Sequence, residues 1–269
     1  MSGYRMVIAN QLKSTFTYRA HVLFQILASA AAIAIQFFLW RAVYSAVEGG
    51  VDSGLIRGMS FNQTFLYVSL AATMGVLMRT WIDWEINGQI RSGDIVMFFF
   101  KPVDYHALMF SSAIGFMAGN FLTITVPGAL VIFLVLGAKV ALGWNLLFFA
   151  LTLIGSCLLS FLFDFFIGTT CFWTQSIWGI SAAKEVVILF LSGALIPLQF
   201  YPDGFMSVAR WLPFPYMYNL PLTILTGTGA FSADWVRGTL IQLFWVVAVF
   251  LLVRGYYRFS LRKLVVNGG

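Results

Sequence analysis

One carboxylate stands alone in a long apolar run: Asp164, within Leu162-Phe-Asp-Phe-Phe166. An ionisable group among such neighbours is costly and normally faces a helix-bundle interior or a wet path. Asp164 is therefore a candidate pathway residue or a hydrogen-bond partner for Ser, Thr or Gln on a neighbouring helix. Other groups with chemical potential are sparse. His21 and His106 open different apolar stretches, and no His, Asp and Glu cluster has ligand spacing, so no metal site is expected. Lys13-Ser14 is the one Lys-Ser pair, and it lacks both glycines of the phosphate-cradling Gly-x-x-x-x-Gly-Lys-Ser/Thr loop. No catalytic residue and no bound cofactor are assigned, and ATP hydrolysis has to come from another polypeptide. Cys157 and Cys171 lie fourteen positions apart in one predicted helix. That is about 21 Å of rise, beyond disulfide reach, so both read as packing residues.

The other informative segment is charged and punctuated by glycine: Trp84-Glu-Ile-Asn-Gly-Gln-Ile-Arg-Ser-Gly-Asp-Ile-Val96, running into Lys101-Pro102-Val103. Glu85 to Asp94 can form a short helix with Ile86 and Ile90 on one face. Asn87, Arg91 and Asp94 then offer polar contacts on the others, with Gln89 and Ser92 between them. Gly88 and Gly93 allow tight turns at or near its ends. Such a loop is either an ordinary turn or a segment built to receive a push from a soluble partner.

These groups sit in a chain that is 60% hydrophobic and only 10% charged, with 28 Phe and a mean hydropathy of +0.88. Soluble domains carry roughly 25% charged residues, so an all-α integral membrane protein is predicted, as one domain over 1–269. Its net charge of +6 is no sign of nucleic acid. Spans of about 20 apolar residues are expected near 22–47, 61–80, 106–136, 144–174, 183–200 and 236–257, with Pro127 kinking the third. Residues 1–20 read as an amphipathic interfacial helix, 81–103 as the first loop, and 258–269 as a tail. With the N-terminus in the cytoplasm, eleven of the sixteen Lys and Arg lie inside, which also puts the C-terminus there. Residues 197–227 are too apolar for a solvated loop and too interrupted by proline for a span. They read as two short helices dipping back into the outer leaflet, because irregular backbone at that depth must be covered. Gly115-Phe-Met-Ala-Gly119 fits the small-xxx-small pattern of close helix contact.

Ile90-Arg-Ser-Gly-Asp-Ile-Val96 with Lys101-Pro102-Val103 resembles the loop between the second and third spans of ABC-2 type transporter permeases. So do Ser192-Gly-Ala-Leu-Ile-Pro197, Tyr201-Pro202, Leu212-Pro213-Phe-Pro215 and Pro221-Leu-Thr-Ile-Leu-Thr-Gly227, together with Tyr18-Arg19 and Leu39-Trp-Arg-Ala-Val-Tyr44. Their order around six spans carries the resemblance over essentially the whole chain. It implies the permease subunit of an ATP-driven exporter in a bacterial inner membrane, dimeric with an identical or homologous permease. Two ATP-binding subunits would hold ATP and Mg. Glu85, Ile86, Asn87, Gln89, Ile90, Arg91, Ser92, Gly93 and Asp94 would be the coupling helix on the ATPase, and Gln175 to Lys184 a smaller contact. Pro197, Tyr201, Pro202, Pro213 and Pro215 would shape a re-entrant outer cap. An amphipathic or hydrophobic cargo fits the lack of a large outer domain. The rivals are a non-transporting scaffold, or silent half of a heterodimer, and a lipid-modifying membrane enzyme.

Overall fold

The computed structural model describes residues 2–100, 103–137, 143–174, 176–227 and 231–263. Lys101, Pro102, Lys139, Gln175 and residues 264–269 lie outside the described residues. Five stretches among the described residues are long and apolar enough to cross a bilayer: Ala20–Ser45, Phe61–Ser92, Tyr105–Leu136, Trp144–Phe172 and Ala233–Ser260. They contain α2 (Arg19–Ser45), α4 (Phe61–Met78) with α5 (Ile82–Ser92), α7 (Tyr105–Asn120) with α8 (Val126–Leu136), α9 (Trp144–Thr169) and α13 (Ala233–Ser260). Short helices α3 (Gly50–Ser53), α6 (Ile95–Phe99), α11 (Asp203–Ala209) and α12 (Asn219–Leu225) fill the connections, and α1 (Ser2–Thr17) opens the chain.

The stretch expected as a span at 183–200 is α10 (Trp178–Leu191), only 14 residues. That is about 21 Å against a hydrocarbon core of about 30 Å. Gly193, at φ +82°, turns the chain where an L side chain would be strained. The block after it folds back over the helix end: the Asn219 N–H donates to the Ser192 carbonyl at 3.2 Å, and the Ala194 N–H to Ser192 Oγ at 3.2 Å. Neighbouring chain satisfies these groups.

Three further details depart from the sequence reading. The fold is not wholly helical: β1 (Leu55–Ile56) and β2 (Met59–Ser60) form a two-residue-per-strand hairpin. Its turn residues Arg57 and Gly58 both have positive φ, the geometry that matches strand twist in a two-residue turn. Between α7 and α8 the helix continues through a π-helical turn at Phe121–Thr125, just ahead of Pro127. The ring nitrogen of Pro127 has no hydrogen to give the preceding turn, and the widened turn is the irregularity found where a kink is expected. Gly88 lies inside α5 rather than at an end, while Gly93 does terminate it, at φ +82°.

The core lies among α4, α5, α7, α9, α12 and α13, with Phe165, Ile82, Ile86, Met217 and Leu222 almost wholly buried. By contrast, the best apolar window of α2 has no residue buried within the chain. The C-terminal part of α2 packs on α4 through Phe37 and Tyr44, with Trp40 buried beside Tyr44, while the exposed apolar remainder suits lipid or another membrane helix. The N-terminal helix is not free. It lies along α7, from Tyr4, whose hydroxyl accepts from the Asp104 N–H at 3.1 Å, to Thr15, which covers Gly119. A Cβ on Gly115 would sit 2.5 Å from Gln11 Cβ, and one on Gly119 2.5 Å from Thr15 Oγ1. The small-xxx-small pair is therefore the seat of α1, a contact within the chain.

Candidate functional site

The α4–α5 helix breaks at Arg79 to Trp81. Arg79 is extended (ψ 107°) and Trp81 is left-handed (φ 57°), an uncommon state for a bulky residue. The carbonyls freed by the break are held from α7, where Asn120 Nδ2 donates to Val76 O at 2.9 Å and to Arg79 O at 3.3 Å. Beside the break is a buried ion network. Lys184 of α10 reaches Asp83 of α5 at 3.2 Å and also bonds Asp164 of α9. Thr80 Oγ1 donates to Asp164 Oδ2 at 2.5 Å, and Ser181 Oγ to Asp83 Oδ2 at 2.5 Å. The Trp84 N–H donates to Asp83 Oδ1 at 3.0 Å. All three charged side chains are at least nine-tenths buried. The half-exposed Glu185 adds a third contact to the ammonium at 3.3 Å.

Two buried carboxylates thus share one buried ammonium, each oxygen meeting a donor. Buried charges persist only when paired and hydrogen-bonded in this way. Asp164 is accordingly neither isolated nor merely a hydroxyl's partner: it is one corner of a network joining three helices at a backbone break. Asp83, Lys184, Thr80 and Ser181 were not singled out by the sequence reading. Asp83 lies one residue ahead of the charged segment 84–96, and Lys184 enters the sequence reading only as an orienting cation and as the end of the Gln175 to Lys184 contact. Opposite charges in different apolar spans tend to find each other, and that was the available signal.

The segment 85–94 divides by face. Ile86 is fully buried against Gly168, where an added Cβ would meet Ile86 Cβ at 2.8 Å and Asp83 Cα at 3.1 Å. Asn87 Oδ1 accepts from Cys171 Sγ at 2.9 Å. Glu85 accepts from Ser112 at 3.2 Å and Gln89 Oε1 from the Tyr105 hydroxyl at 2.7 Å, tying α5 to α7. Ile90 packs with Cys171 and Ile177. These five face the bundle. Trp81, Trp84, Gly88 and Arg91 form an exposed stripe at helical spacing, continued by Ser92, Gly93 and Asp94 at the end of the helix. Ser92 Oγ bonds Asp94 Oδ2 at 2.6 Å.

At the opposite end of the bundle, the proline-rich block is pinned from inside. Pro197, Pro202 and Pro213 each precede a short helical turn, and Pro215 is buried within the last of them. Tyr201 donates to Phe190 O at 3.1 Å and stacks on Phe205 at 4.6 Å between ring centroids. Gln242 of α13 has its amide nitrogen 2.8 Å from both Thr152 O and Tyr216 O, clamping α9 and the block together. Gly155 is needed there, since a Cβ would lie 2.5 Å from Gln242 Cδ. On the surface, Arg57 bonds Asp203 at 2.9 Å.

Several apolar spanning helices around a polar junction define a multi-pass membrane protein. Residues 30–268 match the family model described as ABC-2 family transporter protein, so the chain belongs to the ABC-2 family and is a permease component of an ABC transporter. Permeases of this family generally work with ATP-binding subunits. No curated protein matches the chain.

Proposed function

We propose that this chain is the transmembrane subunit of an ATP-driven exporter, paired with an identical or homologous permease and driven by two ATP-binding subunits that carry ATP and Mg. It would sit in a bacterial inner membrane with both termini in the cytoplasm and α10, extended by the block after it, as a sixth, discontinuous crossing. The observation that supports this most is the two-sided construction of α5. Its inner face is bound to α9 and α10 through Asp83, Lys184 and Asp164. Its outer face offers Trp81, Trp84, Gly88 and Arg91. A partner that moves that outer face must also move the helices held by the ion network, and the break at Arg79 to Trp81 lets α5 swing without unwinding α4. An ATPase shifts such a helix only if its ATP-bound state binds one position better than the other. The proline-rich block, clamped by Gln242, would close the outer end, and an amphipathic or hydrophobic compound would be the cargo.

The test is co-purification with the ATP-binding subunit encoded beside this chain, followed by ATP hydrolysis in lipid. Trp84→Ala with Arg91→Glu should leave the permease as stable as before and lower both complex recovery and the permease's effect on hydrolysis at least tenfold. Association and hydrolysis indifferent to that change would remove α5 as the contact. No association with any ATP-binding subunit would favour a scaffold role.

A further inference from the structure

Near the start of α7, two cavities share a rim. One, of about 300 Å³, is bordered by Arg254 and Arg258 of α13 and by Asp104, Tyr105 and His106. The other, of about 440 Å³, is a furrow between α7, α9 and α13. Its walls are Phe110, Phe161, Leu162, Val246, Val247 and Phe250, and Asp104, His106 and Arg254 border both spaces. Neither arginine forms an ion pair among the described residues. The carboxylate of Asp104 is occupied as the N-cap of α7, accepting from the Ala107 N–H at 3.1 Å. His106 is stacked on Phe165 at 4.1 Å, and its buried Nε2 has no hydrogen-bond partner. The junction therefore combines two guanidinium groups that have no ion pair among the described residues, with Arg254 lying over the Phe250 ring at 6.0 Å, an unsatisfied ring nitrogen and the partly positive start of a 16-residue helix.

The depth is informative. Arg237 and Arg254 stand seventeen positions apart on α13, about 25 Å of rise. With Arg237 at one border of a hydrocarbon core about 30 Å thick, Arg254 falls about 5 Å short of the other, a gap its long side chain spans by reaching toward the headgroups. The furrow, bounded by Val246 to Phe250, then lies on the hydrocarbon side of Arg254 and the basic cavity on the headgroup side. A charged rim joined to an apolar furrow at that level matches one molecule: an anionic phospholipid with its phosphate on Arg254 and Arg258 and an acyl chain along Phe110, Phe161 and Val247. Basic pockets between membrane helices take such headgroups.

We propose that this junction is a specific site for one anionic glycerophospholipid per chain, bound from the leaflet that Arg254 and Arg258 face. The inference is independent of ATPase coupling, since it rests on α7, α9 and α13 alone. It is tested on the full chain in detergent by native mass spectrometry, titrating phosphatidylglycerol against phosphatidylcholine with matched acyl chains. One phosphatidylglycerol should bind in preference by about 30-fold, the factor two arginines supply near an anionic surface. Arg254→Gln with Arg258→Gln should erase the preference. Val247→Trp, at a half-exposed furrow position, should weaken both lipids while keeping their ratio. Equal binding of the two lipids by the unaltered chain would overturn the proposal. So would a preference that survives the arginine changes, or displacement of the lipid by soluble glycerol phosphate at matched concentration, which would mean that the furrow contributes nothing.

Discussion

Replacing Lys184 by Met removes the one ammonium from a site where Asp83 and Asp164 are both at least nine-tenths buried. Each carboxylate keeps a hydroxyl donor, from Ser181 or Thr80, but neither keeps a counter-charge. Glu185, half exposed and of the wrong sign, offers no replacement. Breaking a buried pair by deleting one partner costs about 3–5 kcal/mol. Asp164→Asn is a different perturbation at the same place. It leaves one carboxylate and one ammonium, Asp83 and Lys184 at 3.2 Å, and the amide oxygen can still accept from Thr80 or Lys184. It also removes the excess negative charge. Its cost should fall to about 1 kcal/mol, that of an altered hydrogen bond. The two changes should thus differ by at least about 2 kcal/mol, a factor of about 30 in the unfolding equilibrium.

The assay is reversible unfolding in mixed micelles, read by tryptophan fluorescence, for Lys184→Met, Asp164→Asn and the pair combined. The combined variant should be more stable than Lys184→Met alone, because one of the two stranded carboxylates is gone. Equal destabilisation by the two single changes would refute the charge count, since it would mean that shape rather than imbalance decides stability here. A combined variant worse than either single one would refute it in the same way.

Three further outcomes follow from close contacts. Gly168→Val would push against Ile86 and the Asp83 backbone and should destabilise by about 1–3 kcal/mol, with faster hydrogen exchange in α5 than in α4. Gly119→Val meets Thr15 in the same way and should release α1, seen as earlier proteolysis after Lys13 while the rest of the chain stays protected. Gln242→Leu leaves the Thr152 and Tyr216 carbonyls without that donor. It should cost about 1–3 kcal/mol and loosen residues 213–219 in hydrogen exchange; unchanged protection there would show that the clamp is not what holds the block.

Much of the architecture was legible because apolar length is a strong signal. The helices around 22–47, 106–136, 144–174 and 236–257 agree with α2, α7–α8, α9 and α13 to within a few residues. The two short helices in the proline-rich block were legible too, since proline fixes where a helix can start. What composition cannot supply is where a helix stops once its neighbours are present. The sequence 183–200 is apolar enough for a span, yet Gly193 and the returning Asn219 end α10 early. The seat of α1 was half legible: the glycine pair announced a close contact, but only the fold says that Gln11 and Thr15 fill it.

The site shows the same division at finer scale. Asp164 was conspicuous because its own span is apolar, whereas Asp83 was lost among the charges of a polar segment and Lys184 among the cations that set orientation. Their meaning depends on the break at Arg79 to Trp81. In an uninterrupted helix, residues three or four apart share a face while the direction of the axis is fixed. The left-handed Trp81 resets that direction, and the Asp83 carboxylate then meets Lys184 and Ser181. No periodicity argument carries through such a residue, because the period itself restarts there. The same restart divides the following eleven-residue helix into a face committed to α9 and α7 and an exposed face. An uninterrupted helix could carry the same residues, but any push on its outer face would be shared with α4. On the proposed coupling role, the break would confine the push to α5, and the ion network would hand it to α9 and α10.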